Sequence, residues 1–112
     1  MSFDRNSTLE QLEGEDLGEP EFNSSLVRKV HELYRKPLSN FTVEDLRIMI
    51  GQSFGLPFLI PMALEILESN PLAAGDYYPG DLLSAVLGTG KDFWRENPDL
   101  YRRVNELRKY VR

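Results

Sequence analysis

The chain contains no cysteine in its 112 residues. Disulfides and zinc–thiolate sites are thereby excluded, and a reducing compartment is compatible with the composition. Histidine is almost as scarce, with His31 the sole representative. Nucleophilic and acid–base constellations commonly rely on a histidine oriented by a carboxylate. His31 instead follows Val30 on an amphipathic stretch with Glu32 beside it, which reads as a partly exposed structural residue. The longest apolar-looking run, Phe54 to Leu67, is interrupted by Pro57, Pro61 and Glu65 and falls short of the roughly 18 apolar residues that suggest a membrane span. The N-terminus carries Asp4 and Arg5 but neither a basic leader nor an apolar core of a signal peptide. A soluble, cytoplasmic protein is expected. No stretch outside a helical pattern alternates apolar and polar residues long enough to read as a strand, and there is no internal repeat or low-complexity segment.

Charge is present but unevenly placed. The net formal charge is −5. Residues 1–22 hold seven acids (Asp4, Glu10, Glu13, Glu15, Asp16, Glu19 and Glu21) against Arg5, a net of −6, while the remaining chain is close to neutral at +1. Such a concentration attracts basic partners and repels nucleic acid and anionic lipid. The plainer reading is a solvated acidic tail, although Leu9, Leu12, Leu17 and Phe22 are interleaved with the acids and offer anchors to a core.

The helical signals are dense. Ser7-Thr8-Leu9-Glu10 reads as a capping box, with the Ser7 hydroxyl as cap, opening a short helix that stops at Gly14. Residues 15–21 read as a loop broken by Gly18 and Pro20. Asn23 or Ser24 caps a second helix whose apolar face is Leu26, Val27, Val30, Leu33 and Tyr34, and Pro37 ends it. Thr42 and Asp45 open a third, with Val43, Leu46, Met49 and Ile50 on one face and Gly51 or Gly55 turning the chain. Pro57 suits a first helical turn. Pro61 implies either a start nearer Phe58 or a local distortion, and Asn70-Pro71 marks the stop. Residues 75–81, GDYYPGD, are turn chemistry, and Asp81 reads as the cap of an almost wholly apolar helix to Leu87. Asp92–Glu96 forms a helical turn, and Asn97-Pro98 opens a last helix carrying Leu100, Val104, Leu107 and Val111. Phe93 and Trp94 are expected to close the core beneath it. The expected fold is all-α, a compact single domain over residues 1–112 with five to seven short helices.

Motifs for chemistry are thin. Gly88-Thr89-Gly90-Lys91 matches the end of a phosphate-binding loop, but position 85 is Ala and position 92 is Asp, so the pattern lacks its first glycine and its hydroxyl. Asp76 and Asp81 have nothing nearby to separate their acidities as a catalytic pair, and the loop lacks the alternating ligands of a calcium site. No cofactor is implied. Tyr77 and Tyr78 read equally well as core residues or as anchors presented to a partner. The bases of residues 91–112 are spread around a helix and read as a solvated face.

One larger pattern remains. Lys36-Pro37-Leu38, Phe41, Glu44-Asp45-Leu46-Arg47, Ile50-Gly51-Gln52, Gly55-Leu56, Pro61, Ala63-Leu64, Asn70-Pro71, Gly75-Asp76 and Tyr78 to Leu83 occur in register with Leu9 to Gly14 and Gly18-Glu19-Pro20. In this the chain resembles the immunity proteins of bacterial contact-dependent growth inhibition (CDI) systems, over most of residues 8–95. One departure is Leu17, where the pattern carries an aromatic residue. The resemblance implies a small, cytoplasmic, noncatalytic protein. Its partner would be the toxic C-terminal domain of a cell-surface effector, which it binds and blocks. Many such toxins are nucleases, and some members of the family face a toxin of ribonuclease A type. A nuclease cleft is basic, so the expected contact surface is Glu13, Glu15, Asp16, Glu19 and Glu21, with Tyr77, Tyr78 and Asp81 as a second patch. The alternative is a generic adaptor or regulator of a basic partner.

Overall fold

Side-chain caps start three of the helices, and left-handed residues set several of the turns between elements. The computed structural model describes residues 3–18 and 24–111. Among these, seven α-helices and two 3-10 turns occur and no strand, so the fold is all-α. The chain divides into two compact units, Met1–Phe41 and Thr42–Arg112.

The first unit holds α1 (Leu9–Glu13), α2 (Ser25–Tyr34) and a 3-10 turn at Leu38–Asn40. The cap of α1 is Thr8 rather than Ser7. Its hydroxyl accepts from the Gln11 N–H at 3.1 Å, and the Gln11 side chain accepts from the Thr8 N–H at 2.9 Å. The box is therefore one residue later than its sequence suggests, with Gln11 in the reciprocal role. Gly14 stops α1 in the left-handed region, as expected. Ser24 caps α2 through the Val27 N–H. Leu38 and Ser39 donate backbone N–H groups to the carbonyls of Ser7 and Arg5, at 3.0 and 2.7 Å, and so tie the 3-10 turn to the segment before α1. Leu9, Val30, Leu33, Tyr34 and Leu38 are buried.

The second unit holds α3 (Val43–Gly51), α4 (Leu56–Ser69), α5 (Asp81–Leu87), α6 (Lys91–Glu96), α7 (Pro98–Glu106) and a 3-10 turn at Arg108–Tyr110. Thr42 and Asp45 form the expected capping box on α3. Helix α4 begins at Leu56, takes Pro57 in its first turn and continues past Pro61 to Ser69. Proline there removes one rung of the ladder. Burial of Leu59, Ile60, Met62, Ala63, Leu64 and Leu67 outweighs that loss, at about 1.5–3 kcal/mol for each large apolar side chain taken out of water. Helix α3 packs on α4 and α5, α4 also packs on α5 and α7, and α6 packs on α7.

Two expectations fail in this unit. Asn97 does not cap α7 with its side chain; its Nδ2 donates to the Phe93 carbonyl at 2.9 Å and closes α6 instead. Phe93 and Trp94 are half-buried rather than sealed in the core. Trp94 Nε1 donates to the Thr89 carbonyl at 3.0 Å, and its ring meets Phe93 edge-on at 5.2 Å and Tyr101 at 5.8 Å. The indole staples a surface corner because it has a polar edge to satisfy and aromatic neighbours on the same side.

Candidate partner-binding surfaces

The acidic segment is only partly free to meet a partner. Glu13 and Glu15 are exposed, as is Asp16, while Glu19 and Glu21 lie outside the described residues. Arg35, just beyond α2, organises the rest. Its Nε donates to Glu10 at 3.0 Å, and its Nη2 donates to Asp16 Oδ1 at 3.1 Å and to the Gly18 carbonyl at 2.8 Å. Asp16 also accepts from the Gly18 N–H at 2.8 Å, an Asx turn. That backbone bond, followed by Arg35, holds the Asp16 carboxyl below the usual carboxylate range. The Gly18 carbonyl lies 3.1 Å from His31 Nδ1 as well. Glu13 accepts from the Tyr34 hydroxyl at 2.7 Å; burial first, and then this bond to an anion, push the Tyr34 phenol well above its ordinary value. Glu15 is thus the described acid least committed to the unit's own structure. Sequence reasoning missed Arg35, which sits 19 residues from Asp16 and carries no local signal of that partnership.

The second patch is built differently. Asp81 does not cap α5 with its side chain; Gly80, in the left-handed region at φ 94°, holds that position. The Asp81 carboxylate is buried and turns back into the preceding loop, where it accepts from the N–H groups of Gly75 at 2.7 Å, Tyr77 at 3.1 Å and Tyr78 at 3.5 Å. It is therefore the loop's internal strut and has no free face for a partner. Glu44 on α3 adds a further strut, accepting from the Asp76 N–H at 2.9 Å. The same Glu44 is clamped bidentately by Arg47, at 2.6 and 2.5 Å, and the guanidinium holds its carboxyl below the usual range. Arg47 also lies 3.8 Å from Asp81 and stacks over the Tyr77 ring with 4.1 Å to the centroid. Gly75 packs closely: a Cβ there would overlap the Glu44 carboxylate and sit 3.2 Å from the Glu44 Cα.

These struts leave both tyrosines outside. Tyr77 is 73% exposed and Tyr78 51%, which settles the core-or-surface alternative in favour of the surface. Tyr78 lines a groove of about 620 Å³ with Leu72, Pro79, Leu83, Tyr110 and Val111.

A family model for CDI immunity proteins matches residues 6–104. The chain belongs to the CDI immunity proteins. The match runs from the segment before α1 into α7 and takes in both candidate surfaces. No curated protein matches the chain. Among the described residues, no helix is long and apolar enough to cross a membrane, and no group of three or more His, Cys, Asp or Glu side chains is placed to hold a metal. The Gly88–Gly90 segment that resembles a phosphate loop simply joins α5 to α6, and the Thr89 carbonyl serves Trp94. Membership of this family implies neutralising a CDI toxin.

Proposed function

We propose that this chain neutralises a nuclease toxin, of ribonuclease A type in its narrowest form, by binding the toxin's C-terminal domain in the cytoplasm and performing no chemistry of its own. The observation that carries the reading is the net charge of −6 on residues 1–22 within a chain of the immunity family. A protein that must hold a polyanion presents a basic cleft, and an acidic partner gains rapid, steered encounter with it. The exposed carboxylates of Glu13, Glu15 and Asp16, followed in the sequence by Glu19 and Glu21, supply that field. Arg35 offsets part of it while holding Asp16 and the Gly18 carbonyl.

The test uses the cognate CDI toxin domain. Its association rate with the chain is expected to fall as ionic strength rises, because the Debye length shortens from about 10 Å at 0.1 M salt to about 3 Å at 1 M. Glu15→Lys is the clean charge reversal, since Glu15 supports no contact that Arg35 needs. It should slow association at low salt and converge on the wild-type rate at high salt. A rate indifferent to both salt and Glu15 would remove the acidic segment from the mechanism.

A further inference from the structure

The loop between Gly75 and Asp81 is pinned by its own hydrogen bonds, and two consecutive residues in it, Asp76 and Tyr77, are exposed. Four backbone N–H groups, those of Gly75, Asp76, Tyr77 and Tyr78, are held by the Asp81 and Glu44 carboxylates. Arg47 covers one face of the Tyr77 ring and leaves most of the side chain in solvent. Asp76, the preceding residue, is also exposed. Glu44, Asp76 and Asp81 outnumber Arg47 here, so the loop carries excess negative charge although Arg47 is its backing.

We infer that Tyr77 and Asp76 form a nucleotide-like tip that enters the cleft of the toxin, the phenol ring standing in for a base and the carboxylate for a phosphate. The inference rests on the proposed nuclease reading and deepens it by naming the group that occludes the site. A nuclease cleft must bind a flat aromatic ring and an anion at adjacent positions, and base–aromatic stacking tolerates any ring with a π-face. Tyrosine is enriched at binding hot spots because it buries a large area with few rotors. A loop already pinned by its own carboxylates loses little further freedom on docking. Arg47 is then a positioning residue: it fixes the ring plane from behind and does not touch the partner through that face.

The experiment measures inhibition of the cognate CDI toxin domain on a short RNA or DNA oligonucleotide, with wild-type chain and with Tyr77→Ala, Tyr77→Phe, Asp76→Asn and Arg47→Lys. Wild-type inhibition is expected to be competitive with the oligonucleotide. Tyr77→Ala should weaken inhibition by about 30-fold or more, Tyr77→Phe by much less because the ring is retained, and Asp76→Asn by an intermediate factor. Arg47→Lys should weaken inhibition mainly through a faster dissociation rate, with the association rate little changed. Circular dichroism melts of Tyr77→Ala and Tyr77→Phe should overlay the wild type, as the side chain is exposed. If wild-type chain inhibits but Tyr77→Ala inhibits equally well, or if inhibition is noncompetitive, the tip lies outside the cleft and this inference falls alone. If wild-type chain neither binds the toxin nor slows cleavage, the proposed function falls with it.

Discussion

Asp81 shows how a residue's position can be legible while its task is not. Its place before an apolar helix reads as a cap, and its acidity beside two tyrosines reads as a contact residue. In the structure its carboxylate faces backward and satisfies three loop N–H groups. Nothing in a single sequence distinguishes an aspartate that faces forward into a helix from one that faces back across six residues. Asp81→Ala orphans those donors and leaves Arg47 with one fewer anion nearby, so a stability loss of about 2–4 kcal/mol is expected in urea unfolding. A loss below about 0.5 kcal/mol would show that the loop does not depend on this carboxylate. Gly75→Ala should be comparably harmful, because the new Cβ meets the Glu44 backbone as well as its flexible carboxylate.

Among the elements, the loop 75–81 has a predictable acid limit. The Glu44 carboxyl is held below its ordinary value of 4.5, chiefly by the Arg47 hydrogen bonds. A carboxylate depressed in the folded state contributes stability that is complete above its unfolded value and disappears as pH falls through the folded one. The Asp76 N–H, bonded to Glu44, should therefore keep its NMR shift down to pH 4.5 and move only below it. A transition centred above 4.5 would contradict the clamp. Helix α6 makes a separate claim. With Trp94 half-buried but bonded to Thr89, Trp94→Ala should cost about 1–3 kcal/mol, less than the 3–5 typical of a fully buried indole. The helices themselves were largely legible, because Thr42, Ser24, Gly14 and the apolar spacings of α2 and α3 each state a local rule. The misread ends had local causes too. Thr8 stands next to an equally plausible Ser7, Asn97 can bond backward as easily as forward, and the chain after Glu106 tightens into a 3-10 turn where periodicity alone continues the helix.

At the scale of the whole molecule, family membership was legible because its pattern is carried by turn and packing residues such as Asn70-Pro71 and Tyr78 to Leu83, and residues 6–104 match the family. The contact chemistry was less so. Charge counting located the acidic segment but not Arg35, whose pairing with Glu10 and Asp16 requires the fold. The tyrosines were visible as a pair, yet only the struts show that they are held outward. On the proposed nuclease reading, the acidic segment speeds encounter with a basic cleft, and Tyr77 is a separate candidate for occupying it. The most direct test is to titrate the wild-type chain into a cleavage assay of its cognate CDI toxin domain, on a labelled oligonucleotide. Cleavage is predicted to fall to zero as the chain reaches stoichiometric equivalence with the toxin. Cleavage that continues undiminished in saturating chain, with toxin and chain running separately on size-exclusion chromatography, would contradict the account.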